Sequence, residues 1–214
     1  MLLISVAAAP IPRPLLHKRA FDAAVKDGVK QIVYTSYLGV GRDHSPLSMD
    51  HGRSEQYLKA SGAAWTILRN GFYADMRVPQ AAQMVAAGRV TVAADEAKTA
   101  WVTRADCAAA AAGALTTPGH ENKVYDITGP ALIGRGDVAR LASQITGKPI
   151  EVIEQTAGNE QGTGRAGARP AAGLDLPPPI VSNAVAELSG HAATSVRALL
   201  EANKQQLLAA PAAR

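Results

Sequence analysis

Along this chain, continuous apolar runs alternate with stretches whose apolar positions recur every three or four residues. "LLISV" (2–6) is short, continuous and ended by small residues and proline, which predicts a buried strand. "PLLHKRAFDAAVKDG" then carries apolar residues at 15, 16, 20, 21, 24 and 25. That spacing makes one face of a helix, with Pro14 suited to its first turn and Gly28 to its stop. "VKQIVYTS" (29–36) predicts a second strand that ends in small hydroxyl residues. Strand, helix and strand with tight connections make a βαβ unit, whose strands lie parallel and adjacent.

The alternation continues. "SMDHGRSEQYLKASG" (48–62) predicts a polar-faced helix and "AAWTILRNG" (63–71) a third strand. "PQAAQMVAAG" predicts a helix, and "RVTVAAD" and "TAWV" short strands. Thr103 and Asp106 stand at the spacing of a capping box, with Asp in place of Glu, so a helix should begin at Thr103 and run to 117. "KVYDITG", "GRGDVARLASQITG" and "KPIEVIEQ" continue as strand, helix and strand. Residues 156–182 are rich in Gly, Pro and Ala without a helix or strand period, and predict a flexible segment. The last segment, 183–214, holds one amphipathic helix, "TSVRALLEANKQQLLAA". Such an order implies an α/β fold: a doubly wound parallel sheet over 1–155.

Composition narrows the function classes. With 214 residues and 47% hydrophobic content the chain fits one globular domain. Only 4% of it is aromatic, so the core must be built from Ala, Val, Leu and Ile. The net charge of +4 is spread over scattered residues such as Lys18, Arg19, Arg53, Arg69, Arg104, Arg165 and Arg169. No basic stripe interleaved with aromatics is present, which argues against nucleic acid as a partner. The single cysteine, Cys107, excludes an intrachain disulfide and reads as a small buried residue of a helix. His17, His44, His51, His120 and His191 show no metal-ligand spacing. The opening apolar run lacks preceding positive charge and meets prolines at 10, 12 and 14, so it makes a poor export signal. No run reaches the roughly 20 apolar residues of a membrane span. The chain reads as cytoplasmic.

Phosphate-cradling motifs are scarce. "GTGRAG" (162–167) matches G-x-G-x-x-G letter for letter, but no strand leads directly into it and no helix of useful length follows. "GVGRDH" (39–44) fails at its last position, and a G-x-x-x-x-G-K-S/T loop is absent.

Taken together, "LLIS", "GVKQIVYTSYL", "DHGRSEQYLKASG", "WTILRNGFY", "VTRADCAAAAAGAL", "KVYDITG" and "LSGHAATSVRALL" resemble the NmrA-like atypical short-chain dehydrogenases. Within them the chain is most similar to the NAD(P)H:quinone oxidoreductase type 2 group. The resemblance implies a truncated Rossmann-like sheet with a small C-terminal α/β lobe. "LLIS" would be the fourth strand of the fold, and roughly 75 residues, at about 30 per βαβ unit, would be missing before it. The lobe also looks shortened between Val181 and Leu188. NADPH or NADH is the implied cofactor and a quinone-like small molecule the implied substrate. The resemblance also leaves room for a homodimer.

Residue by residue, the resemblance leads to one edge of the sheet. Many short-chain dehydrogenases use Tyr-x-x-x-Lys, in which Lys lowers the Tyr pKa and Tyr passes a proton to the carbonyl oxygen. No Tyr here has Lys four residues later; His51 and Glu55 stand in that place, one turn apart. His51 could act as a general acid oriented by Glu55, or the two could form a surface pair on a solvated helix. Hydride transfer to a ketone leaves a strongly basic alkoxide, whereas transfer to a quinone leaves an anion stabilised by its ring. A site without Tyr and Lys therefore suits quinones better. Ser5, Thr35 and Ser36 fall at strand ends, where ligands sit in open α/β sheets; they could equally satisfy local amides. Asn70, Gly71, Phe72 and Tyr73 follow the third strand at the same edge and are implied to line the nicotinamide and substrate pocket. Tyr37 and Phe21 read as core or pocket lining. A non-catalytic NAD(P)-sensing regulator, an interaction protein and an inactive truncated product remain the alternatives.

Overall fold

The computed structural model describes residues 1–6, 10–155 and 179–209, so the "GTGRAG" segment lies outside the described residues. In chain order the elements begin β1 (Leu2–Leu3), α1 (Arg13–Lys26), β2 (Gln31–Tyr37), α2 (Pro46–Lys59) and β3 (Ala64–Asn70). A 3-10 turn (Ala74–Met76), α3 (Arg77–Ala87), β4 (Arg89–Ala93), α4 (Arg104–Thr116) and β5 (Lys123–Ile127) follow. Then come α5 (Arg135–Thr146), β6 (Glu151–Gln155), α6 (Ala184–Ser189), α7 (Val196–Ala202) and α8 (Lys204–Ala209).

The main sheet is parallel, in the order β1-β2-β3-β5, with Val33 opposite Thr66 and Leu68 opposite Tyr125. Alternation along β2 and β3 sends side chains to opposite layers. Ile32, Tyr34 and Ile67 pack with Phe21 of α1 and Leu58 of α2. Val33 and Leu68 pack with Ala110, Ala111 and Ala114 of α4 and Val185 and Leu188 of α6. The sheet is thus covered on both faces, as parallel sheets require. A third apolar cluster joins α3, β4 and α5 to Val196, Leu200 and Leu207 of the last two helices, with β4 and β6 paired in a separate parallel ribbon. This is the C-terminal lobe.

Several boundaries differ from the sequence expectation. The first strand covers Leu2–Leu3 rather than 2–6, and Ile4 is 69% exposed, so the buried strand expected there is a short edge strand. Among the described residues β1 pairs with β2 alone. The helix expected from 48 starts at Pro46, because Ser45 accepts the Ser48 amide hydrogen as its N-cap. "TAWV" makes only isolated bridges, Tyr73 to Val102 and Thr99 to Ile133, and crosses the strand ends instead of joining a sheet. The final helix is broken into α7 and α8 at Asn203, whose side-chain amide donates to the Leu199 carbonyl. α4 starts as expected: the Thr103 hydroxyl oxygen accepts the Asp106 amide hydrogen at 3.0 Å. Cys107 is buried in that helix. Among the described residues no helix is long and apolar enough to cross a membrane, and no cluster of His, Cys, Asp or Glu could hold a metal ion.

Candidate active site

All four strands of the main sheet are parallel, so their carboxyl ends meet at one edge. Register there sets Ser36 beside Arg69 and Tyr37 beside Asn70, with Asn70 beside Ile127 on the next strand. Ser5 sits beyond β1, and its amide donates to the Thr35 hydroxyl oxygen at 2.9 Å. Among the described residues the Ser5 hydroxyl and the Asn70 side-chain oxygen are buried without a hydrogen-bond partner. Buried polar atoms are rarely left so. Gly71 bonds through its amide to the Ile127 carbonyl, and a Cβ there would stand 3.3 Å from that oxygen. The close approach Gly71 allows is thus to the protein's own backbone.

His51 and Glu55 share the inner face of α2 and are 6% and 2% exposed, which corrects the reading of a solvated surface pair. They engage different partners. Glu55 takes a two-pronged pair from Arg69, Nε to Oε1 at 2.9 Å and a terminal nitrogen to Oε2 at 2.7 Å, and Oε1 also accepts the Ser36 hydroxyl at 2.7 Å. These bonds raise the Arg69 pKa against the cost of its burial. His51 belongs to a neutral network one turn away. The Tyr34 hydroxyl lies 2.8 Å from His51 Nδ1 and 3.2 Å from His17 Nδ1, and His17 Nδ1 is 2.9 Å from the Ser54 hydroxyl.

Hydrogen counting assigns the tautomers in this network. Ser54 donates its one hydroxyl hydrogen to the Asp50 carbonyl at 2.9 Å. Toward His17 it must then accept, so His17 carries its proton on Nδ1. An assignment consistent with this has Tyr34 accept from His17 and donate to His51 Nδ1, which places the His51 proton on Nε2. Burial, with the positive charge of Arg13 beside it, lowers the His51 pKa to about 3 and that of His17 to about 4. Both imidazoles are neutral at pH 7. Burial also pushes the Tyr34 hydroxyl well above the ordinary tyrosine range, so it stays protonated. His51 is therefore neutral and, in that tautomer, an N–H donor through Nε2.

Rings continue outward from this network. Tyr37 lies 6.2 Å from His51 between ring centres, Phe72 lies 5.9 Å from Tyr37, and Trp101 lies 5.7 Å from Phe72. The Arg77 guanidinium covers Trp101 at 3.5 Å from the ring centre. Tyr37 is buried, Phe72 and Trp101 are half-buried, and Phe21 is fully buried in the core. Tyr73, by contrast, stacks with Arg104 at 5.0 Å and packs toward the α4 cluster. Sequence reasoning missed His17, Tyr34, Ser54, Trp101 and Arg77. Trp101 carried a legible signal as one of only two tryptophans, but it stood in a run that read as a strand. Two clefts, of about 170 and 360 Å³, lie in the C-terminal lobe behind Ile133 and Leu141, one of them walled by Trp101.

Residues 2–118 match the NAD(P)H-binding family model. The chain is 38% identical over 136 residues to quinone oxidoreductase 2 of Escherichia coli, covering 63% of this chain and 47% of that protein. It is 31% identical over 156 residues to the NAD(P)H azoreductase of Xenophilus azovorans, covering 72% of this chain and 54% of that one. The chain thus spans about half the length of these curated relatives. The crystal structure of the E. coli NADPH-dependent quinone oxidoreductase in complex with NADPH superposes with a TM-score of 0.77 at 28% identity, over 94% of this chain and 75% of that one.

Proposed function

The chain belongs to the NAD(P)H-binding family, and on that premise we propose that it serves NAD(P)H-dependent reduction of a quinone-like acceptor at the carboxyl edge of the main sheet. The observation that carries this reading is the buried His51 ring, bonded through Nδ1 to the Tyr34 hydroxyl and set beside the Tyr37–Phe72–Trp101 row. The orphaned Ser5 hydroxyl and Asn70 oxygen fit a polar cofactor at the same edge, with Thr35 and Ser36 behind them. When bound, the cofactor supplies the hydride. His51 donates a hydrogen bond to the acceptor oxygen as it gains negative charge, and Phe72 offers its face to the flat ring. Because His51 is neutral at pH 7, the proton that completes the hydroquinone comes from water. Glu55 acts at one remove: it holds Arg69 and Ser36, and so the ends of β2 and β3, in place.

The test is NADPH and NADH oxidation by the purified chain with 1,4-naphthoquinone as acceptor, after circular dichroism has shown it folded. Reduction that falls at least about tenfold in His51→Ala supports the reading. A folded chain that binds NADPH yet reduces no quinone overturns it in favour of nucleotide sensing, the second reading, which the neutral state of His17 and His51 at pH 7 favours. A homodimer and a cytoplasmic setting belong to the same proposal, and sedimentation of the purified chain checks the first.

A further inference from the structure

The arginines near the sheet edge fall into two groups. Arg42 is paired with Asp126, Arg69 with Glu55 and Arg140 with Asp137, each at 2.7 Å. Arg77 and Arg135 have neither an ion pair nor a side-chain hydrogen bond among the described residues, and the Nε atom of each is buried without a partner. They start two helices that pack together, α3 and α5. Arg77 lies over the ring of Trp101, whose indole nitrogen donates to the carbonyl of Ile133, two residues before Arg135. Glu96 is the nearby carboxylate, but its two oxygens are occupied by the backbone amides of Arg135 and Gly136. Arg135 adds its positive field to burial in lowering the Arg77 pKa, to about 10, against the raising effect of Glu96.

Two half-buried guanidinium groups without a hydrogen-bonded counter-ion are costly to hold together, and a chain keeps such a pair where a ligand completes it. We propose that Arg77 and Arg135 form an anion-binding end to the aromatic row, so that the preferred acceptor is a flat aromatic ring bearing a carboxylate, sulfonate or phosphate. The ring lies toward Phe72 and Trp101, and its anionic group reaches the planar donor forks of the two arginines. Calling this ligand an acceptor rests on the reductase reading; the anion site itself does not.

Titration calorimetry with two inert probes, naphthalene-2-sulfonate and the uncharged naphthalene-2-methanol, tests the site with no cofactor present. The expected result is at least about tenfold tighter binding of the sulfonate, as a charge-assisted hydrogen bond would give. That preference should shrink with added salt and fall about tenfold in Arg135→Gln. Equal affinity of the two probes for the wild-type chain overturns the proposal without reliance on any variant. So does a preference that survives in a folded Arg77→Gln/Arg135→Gln chain. Competitive displacement of the sulfonate by NADPH also overturns it, by assigning the anion site to the cofactor's phosphates. A chain that never reduces a quinone can still pass this test, and a working reductase can still fail it.

Discussion

The two faces of the main sheet bury polar groups in opposite ways. On the α4/α6 face the sheet meets mostly Ala, Val and Leu, and the deeply buried acid, Asp106, is satisfied by its own neighbours. It accepts from the Thr103 hydroxyl, the Thr194 amide and the Thr194 hydroxyl at 2.8, 2.9 and 3.1 Å. On the α1/α2 face, His17, Tyr34, His51, Ser54 and Glu55 are all buried, and His17 Nε2 has no partner among the described residues. A fully satisfied knot needs no explanation beyond stability. Polarity that is buried and incompletely satisfied costs stability, so the cluster under α1 and α2 points to function at that face.

Acid should break this comparison most. His17 and His51 have folded pKa values of about 4 and about 3, below the ordinary 6.5, so between those limits the unfolded chain binds more protons than the folded one. Stability from the neutral network is fully present above pH 6.5 and is lost as pH falls toward 3. Asp137, in the C-terminal lobe, behaves differently. Its burial works against ionisation, but the Gly134 amide, Lys98 and Arg140 outweigh it and hold the carboxyl at about 2, so its contribution is lost only below pH 3.8. Urea unfolding at stepped pH should show a decline that begins near pH 6, and His51→Gln should flatten it. Stability that holds level down to pH 4 would remove the distinction between the faces.

Next in size is Arg69→Met, which strands the Glu55 carboxylate in a site that is 2% exposed. The expected loss is about 3–5 kcal/mol in urea unfolding, the usual cost of an uncompensated buried charge. Replacing both partners, as Arg69→Met/Glu55→Gln, should recover part of it.

How much of this was legible depends on distance along the chain. β2 and β3 read within two residues because both are covered on each face and so carry apolar residues on both sides of the strand. The "LLISV" run looked the same, yet beyond Leu3 it has no ladder partner. The break at Asn203 was hidden because apolar residues keep a helical period across it. His51 and Glu55 were found by their spacing, and their shared face is real. Their partners were not, because Tyr34, Ser36 and Arg69 lie 14 to 19 residues away on other elements. Arg77 and Arg135 stand 58 residues apart by number, and nothing local marks either as unpaired.

Smaller effects sharpen the contrast on the apolar side. Gly113 sits where α4 meets α6, and a Cβ there would overlap the Leu188 backbone carbonyl. Gly113→Ala should therefore cost about 1–3 kcal/mol by overpacking, despite the better helix propensity of alanine. A thermal melt of the variant checks this, and a gain in stability would mean that α6 docks loosely.

The finest comparison deletes one atom from each face. Cys107→Ala removes a buried sulfur whose thiol burial raises to about 12, so it is neutral and inert at pH 7. Only packing is lost, about 1 kcal/mol. Ser54→Ala removes one oxygen of similar bulk, but that oxygen accepts from His17 and donates to the Asp50 carbonyl. The His17 Nδ1 proton is then left to the longer Tyr34 contact of 3.2 Å, at a cost of about 1–3 kcal/mol. The two variants should also differ in kind. With Ser54 gone, nothing forces the His17 proton onto Nδ1, so Tyr34 is free to donate to His17 in place of His51. Nitrogen-15 shifts of the two imidazoles would show that exchange in Ser54→Ala and not in Cys107→Ala. Unchanged shifts in both variants would mean that the tautomer of His51 is set by something other than the Tyr34 chain.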